Sequence, residues 1–431
     1  MGALDMAWLI FGLILALTAI NVPIGFALAI TTIIMVLIKG GTPLTVVPLK
    51  LFTGSSGFPL LAIPLFILAG GLMNTMGISQ RLIDLASALV GFIRGGLAMV
   101  TIVASMFFGE ISGSAVAGAA AIGKVMIPAM ERKGYPKSFS PAVVSNAATL
   151  AIIIPPSIPM IIYAVMAETS VVKLFIAGVI PGIIGGGLMI ALSYYLARKR
   201  DYPVEAAFSL KKLWKALFKA AWALVIPLVI WGGIFGGIAT ATEVAGLAAL
   251  AAFIIGAFIY REMRWRELRQ ALLDSAIQTA VVMVIVATSA VLGWYLTNEG
   301  IPQRFAQAIM ELTKNKYLIL LFLNVFFFIA GMFLHSAAAI ILIVPIVMPL
   351  VRSLGIDPIH FGLIVTINLG VGQQTPPVAT VLITTCSIAG LPIWEVFKKG
   401  FYYTMVLVFL TLLVTYFPPV GLFLVHLIYG S

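Results

Sequence analysis

Two tracts of this 431-residue chain set hydroxyl and amide side chains beside adjacent prolines: "SNAATLAIIIPPSIP" at residues 145–159 and "NLGVGQQTPPVAT" at residues 368–380. Proline has no backbone donor, its ring collides with the preceding helical turn, and it pushes the residue before it out of helical torsions. A helix interrupted at Pro155–Pro156 or Pro376–Pro377 therefore leaves carbonyl oxygens and amide hydrogens without intrahelical partners. Such carbonyls can replace the water around an alkali cation, and the N-terminus of a resumed helix can face an anion. Hard oxygen donors suit sodium, and the sequence holds no soft-ligand cluster.

Each tract follows a second small-residue interruption, "FGEISGSAVAG" at 108–118 and "GMFLHSAAA" at 331–339. Candidate cation ligands in the first half are Gly109, Ser112 and Gly113 at the interruption, with Asn146 and the carbonyls of Ala151 and Ile154 before the prolines. In the second half they are Gly331, Asn368, Gly372, Gln373, Thr375 and Val378. Candidate substrate-facing residues are Ser114, Asn146, Ser157, His335, Ser336, Asn368 and Gln374. Asn146 and Asn368 have a second reading, as pins that hold the broken backbone by hydrogen bonds. Glu110 and Lys124 are functional candidates if they lie at membrane depth, or else satisfy each other or reach an interface. His335 is either a pH-sensing group or a structural hydrogen-bonding one.

The elements that must position these groups lie in a membrane. Hydrophobic residues make up 62% of the chain and charged ones 10%, with mean hydropathy +1.15, unlike any ordinary soluble domain. Many apolar runs reach the roughly 20 residues that a crossing helix needs. The N-terminal "MGALDMAWLIFGLILALTAI" lacks a signal peptide's basic leading region and cleavage site, and reads as mature structure. "NVPIG" at 21–25 divides this region into two short spans. The net charge of +11 comes from short basic loops, the mark of cytoplasmic connections rather than of nucleic-acid binding. Arg198, Lys199 and Arg200 with Lys211, Lys212, Lys215 and Lys219 form one such cluster; Arg261, Arg264, Arg266 and Arg269 form another. Two spans fit between them, so both clusters lie on one side, taken as the cytoplasm. The single cysteine, Cys386, cannot form an internal disulfide and reads as a packing thiol.

An internal repeat orders the chain. "GISQRL" at 77–82 resembles "GIPQRF" at 300–305, and "PAMERKGY" at 128–135 resembles "PLVRSLGI" at 349–356. Asn146 matches Asn368, and the two proline pairs match at nearly the same offset. Counting spans puts "GISQRL" inside and "GIPQRF" outside, so the halves are inverted. Three of the four apolar arms around the small-residue interruptions have roughly 15 to 16 residues. At 1.5 Å each that is about 24 Å, short of the roughly 30 Å hydrocarbon layer. The expected fold is an all-α polytopic membrane protein with two inverted repeats, each with a re-entrant helical hairpin and a Pro-broken transmembrane helix.

No GxxxxGK[ST] phosphate loop occurs, which argues against ATP hydrolysis, and no HExxH, GxSxG or Cys/His metal spacing suggests an enzyme. The segments "FGEISGSAVAGAAAIG", "IPAMERKGYPKSFSPAVVSNAATLAIIIPPSIPMIIYA", "FIAGVIPGI", "GMFLHSAAAIILIVPIVMPL" and "GLIVTINLGVGQQTPPVATVL" resemble the large membrane subunit of TRAP transporters, the tripartite ATP-independent periplasmic type. The resemblance covers essentially the whole chain and is to the unfused form. It implies an elevator-type importer in a bacterial or archaeal inner membrane, coupled to two or more sodium ions. The implied partners are a small four-helix membrane subunit, a soluble periplasmic substrate-binding protein, and an organic-acid substrate such as a sialic acid or C4-dicarboxylate. The rival is a stand-alone sodium- or proton-coupled anion transporter or exchanger of the same superfamily. The expected organisation is a scaffold over 1–76, an interfacial arm over 77–94 and half of a transport domain over 95–168. More scaffold and cytoplasmic loops fill 169–299. A second arm over 300–315, the other transport half over 316–390 and a C-terminal helix over 391–431 complete it.

Overall fold

The computed structural model describes residues 3–200, 202 and 208–430, apart from the side chains of residues 3–5, 7, 8 and 110–112. The described residues form helices and no strand. Helices α1 (Ala3–Ala19) and α2 (Ile24–Lys39) flank a turn at Asn21, and α3 (Val46–Ser55) and α4 (Ala62–Thr75) complete the first block. Next come α5 (Ile78–Val90), the pair α6 (Gly96–Ser112) and α7 (Ala115–Arg132), and a broken helix of α8 (Phe139–Ala148), α9 (Leu150–Ile153) and α10 (Ile158–Met166). Four helices follow: α11 (Val171–Arg200), α12 (Leu210–Phe235), α13 (Ala241–Ile254) and α14 (Trp265–Asn298). The second series comprises α15 (Ile301–Leu312), the pair α16 (Lys316–Phe333) and α17 (Ser336–Ser353), and the broken helix α18 (Pro358–Gly372) and α19 (Thr380–Ala389). The chain closes with α20 (Ile393–Tyr416) and α21 (Pro419–Tyr429). Eight helices among the described residues are long and apolar enough to cross a membrane, and α8–α9 with α10 form a ninth candidate bent by 41°.

A short amphipathic helix, a helix pair and a proline-broken helix thus occur twice in the same order. Two boundaries differ from the sequence expectation. The paired arms have 17 or 18 residues each, because Glu110–Ser112 stay helical and the prolines inside α7 and α17 do not end them. The C-terminal segment is two helices rather than one, since Pro418 and Pro419 remove consecutive donors.

Broken backbone in a membrane is tolerated only inside protein or against water, and the packing meets that condition. Every residue of α8 is buried, as are Ile359–Gly372 of α18 and the first break from Ile153 to Ser157. The second break is less enclosed: Pro377 and Val378 are exposed. Within each half the first arm lies along the first part of the broken helix, α6 on α8 and α9, α16 on α18. Between halves the packing crosses over, α7 on α19 and α10 on α17. Around this core, α2, α3 and α4 pack on α14, and α13 packs on α4.

The amphipathic helices start at positive-φ glycines, Gly77 (φ 67°) and Gly300 (φ 65°). At Gly77 the space is also required, since a Cβ there would lie 1.7 Å from the Glu262 carboxylate. Arg81 of α5 grips that carboxylate with both terminal nitrogens, at 2.7 and 3.1 Å, and lies 3.8 Å over the Tyr260 ring. At the other end of α14, Lys39 at the end of α2 pairs with Glu299, one residue before Gly300.

Candidate functional site

Four helices begin at one cavity of about 1000 Å³. Its lining includes Ala115–Ala117 of α7, Ile158 and Pro159 of α10, Ser336–Ala338 of α17 and Thr380 of α19. Each start follows directly from the local sequence. Ser114 caps α7 by accepting from the Ala117 amide at 3.4 Å, and His335 caps α17 through Nδ1 from the Ala337 amide at 3.4 Å. Ser157 caps α10 from the Met160 amide at 3.4 Å and donates to the Ile152 carbonyl at 2.7 Å. Helix α19 has no side-chain cap and follows Ala379 in the left-handed region (φ 51°). An α-helix carries roughly half a positive charge at its N-terminus, so four such ends make the cavity favourable for an anion without a cationic side chain. The facing wall is α14, with Ile277, Gln278, Val281 and Ile285.

The other helix ends pair up differently. In the first half the end of α6 meets the end of α9 so closely that a Cβ on Gly109 would lie 2.7 Å from Ala151 Cα. In the second half the end of α16 meets the end of α18, and a Cβ on Gly372 would lie 2.5 Å from Gly331 Cα. Each half therefore brings two C-terminal ends, the negative poles, into contact. Backbone links hold them beside the resumed helices: the Ile158 amide donates to Gly113 O at 3.1 Å, and the Ala379 amide to Met332 O at 3.3 Å.

Of the residues singled out from sequence, Gly113, Ser114, His335, Ser336 and Gln373 line the cavity. Gln373 Nε2 donates to Ser336 Oγ, which ties the second break to the second hairpin tip. Gln374 reaches across to the first half, donating to Thr149 Oγ1 and, at 3.0 Å, to Ser145 O. Gly109, Ala151, Gly331 and Gly372 form the paired ends just described, with Ile154 buried next to the first pair and Thr375 bonded back to Val371 O at 3.1 Å. Val378 is exposed and does not line the cavity. The side chains of Glu110 and Ser112 lie outside the described residues.

Asn146 and Asn368 are bound by protein rather than exposed to the cavity. Asn146 donates to Ala142 O at 2.9 Å and accepts from Thr404 of α20 at 3.0 Å. Asn368 donates to Ile364 O at 2.8 Å and to Asn324 Oδ1 at 2.5 Å, and Asn324 in turn meets Thr415 of α20. Sequence reasoning missed the polar cavity residues Thr18, Gln278 and Thr380. Thr380 Oγ1 is buried with no hydrogen-bond partner among the described residues, and such a group calls for an explanation. Its signal in the sequence was a hydroxyl three residues after the second proline pair.

A smaller cavity of about 530 Å³ adjoins the first, sharing Ile67, Ser114, Ala117, Ala120 and Gln278. It runs between α7 and the α4–α14 wall to Asp274, in the first third of α14. On the other side α17 packs directly on α14.

Residues 11–420 match the family described as "Tripartite ATP-independent periplasmic transporter, DctM component". The chain belongs to this family. It is a multi-pass transporter subunit of the inner membrane, not an enzyme. A C4-dicarboxylate TRAP transporter large permease protein from Pseudomonas aeruginosa is 42% identical over 87% of this chain and 88% of its own length. An isethionate TRAP transporter permease protein from Oleidesulfovibrio alaskensis is 38% identical over 96% of this chain, which spans 65% of that longer protein. Among solved structures, the Alcanivorax borkumensis YdaH transporter superposes with a TM-score of 0.63 over 97% of this chain and 99% of its own, at 15% identity, a likeness of fold.

Proposed function

We propose that the chain is the carrier of a sodium-coupled importer of organic acids, such as a sialic acid, a C4-dicarboxylate or a related carboxylate, working by an elevator-type movement. The observation that carries this reading is the meeting of four helix N-termini at one cavity, flanked in each half by paired helix C-termini. The positive poles attract the acid's carboxylate, and the negative poles with their carbonyl oxygens attract sodium. The relatives named for a dicarboxylic and a sulfonic acid support an anionic cargo.

The coupling follows from charge. An anion moving inward against a negative interior is opposed by roughly 2.3 kcal/mol per charge per 100 mV. Two sodium ions bound with one monocarboxylate give a net charge of about +1, so the loaded carrier is drawn inward. The moving unit comprises α6–α10 and α16–α19, and the scaffold comprises α1–α4 and α11–α14, with α5 and α15 as linking arms. The packed α17–α14 contact outside and the open cavity along α7 fit a carrier whose site faces the cytoplasm. A small membrane subunit and a periplasmic binding protein complete the transporter.

The test is uptake into proteoliposomes that contain the chain and its small subunit. Labelled acid should accumulate only with an inward sodium gradient and with the binding protein outside. Equal uptake in potassium would remove the sodium coupling, and uptake without binding protein would favour a stand-alone carrier. Thermal stabilisation of the cognate binding protein by a panel of acids identifies the substrate.

A further inference from the structure

Among the described residues the main cavity holds no lysine or arginine, but the adjoining passage holds Lys124 on α7. Lys124 is exposed and makes no hydrogen bond or ion pair among the described residues. One face of α7 leads to it: Ser114, Ala117, Ala120 and Ala121 line the passage before Lys124. At 1.5 Å per residue the ammonium-bearing position lies about 15 Å along the helix from Ser114. The repeat supplies an internal comparison. The corresponding face of α17, 221 residues on as the caps Ser114 and His335 and the prolines Pro128 and Pro349 align, carries His335, Ala338, Ile341, Leu342 and Pro345. Ala338, Ile341 and Leu342 are buried, and α17 packs on α14. The same helix face is thus small and open in one half, bulky and closed in the other, and only the open one ends in a cation.

We propose that Lys124 forms an inner subsite that receives the organic acid's anionic group as it leaves the main cavity toward the cytoplasm; this rests on the import reading above. The four helix dipoles hold the anion but offer it no reason to depart, and a full charge farther along the passage supplies a second station. Asp274 lines the same passage and accepts from Gln270 at 2.8 Å, so its carboxylate opposes the anion there.

The experiment uses the complete transporter in proteoliposomes, with binding protein outside to select correctly oriented carriers. Succinate, N-acetylneuraminate and isethionate serve as labelled probes, and whichever the wild type accumulates is then loaded unlabelled into the lumen. The readout is the lumenal concentration that halves uptake. Lys124→Gln is expected to raise it about tenfold and Lys124→Arg to change it by less than about threefold, as a charge-assisted contact implies. The half-saturating sodium concentration should stay the same in both. Asp274→Asn, an exposed isosteric change that does not threaten folding, should lower the lumenal value by about threefold. An unchanged value in Lys124→Gln, or an unchanged or raised value in Asp274→Asn, would overturn the subsite. Wild type that accumulates no probe under a sodium gradient would overturn the import reading and the subsite with it.

Discussion

Gly331 and Gly372 touch backbone to backbone: a Cβ built on Gly372 would lie 2.5 Å from Gly331 Cα, and one on Gly331 would lie 3.1 Å from Gly372 Cα. The pair joins the end of α16 to the end of α18, as Gly109 and Ala151 join α6 to α9. Neither side can yield, because the obstructing atoms are main chain. Gly372→Ala should therefore destabilise the detergent-solubilised protein by about 1–3 kcal/mol and raise the sodium concentration that half-saturates uptake. Gly187→Ala, where a Cβ meets nothing within 4 Å, is the control. A Gly372→Ala variant that melts and transports like wild type would show that the close approach is dispensable.

Thr380 Oγ1 is a buried hydroxyl at the cavity wall without a partner among the described residues. An unpaired buried hydroxyl costs about 1–3 kcal/mol, so Thr380→Val should leave ligand-free stability equal or higher. If the hydroxyl serves cargo, uptake should fall several-fold in the same variant. Thermal melting and initial uptake rate measured together decide the matter, since a purely structural hydroxyl would lower both.

The two asparagines anchor the broken helices to α20, through Thr404 and through Asn324 with Thr415. Asn368→Ala removes a buried donor and leaves Asn324 short of one partner, at a cost of about 1–3 kcal/mol. Asn368→Asp should be worse, because the Asp carboxylate has no N–H to give Ile364 O or Asn324 Oδ1. Melting temperatures of the two variants test the order.

The Arg81–Glu262 pair lies at the root of α5, outside the crossing helices. The hydrogen bonds from Arg81 hold the Glu262 carboxyl below its usual range, and Glu262 in turn raises Arg81. A depressed carboxylate contributes stability that is present above its unfolded value, about 4.3, and is lost as pH falls through the lower folded value. The melting difference between wild type and Glu262→Gln should accordingly be constant from pH 8 to about 5 and shrink below about 4. Partial exposure keeps the effect small. A difference that grows on acidification would contradict the pairing.

How much of this was legible in advance follows from the range of the forces involved. The proline breaks, the small-residue interruptions and the doubled order of elements depend on residues within a turn or two of each other. Backbone sterics and hydrogen-bond counting therefore exposed them in the linear chain. The direction of the Asn146 amide was decided by Thr404, 258 residues away, and the reach of Gln374 by Ser145 and Thr149 in the other half. Composition gives no preference between a cation, a substrate and a neighbouring helix for such an amide. The position of Gln278 and Thr380 on one cavity, and of Lys124 on its inner passage, likewise arose only from long-range packing. By itself the sequence determined a membrane chain with paired, deliberately broken helices, because a donorless backbone acts locally. Only the tertiary structure decided which exposed helix ends meet, because dipoles and carbonyls act on a ligand only through the space that distant helices enclose.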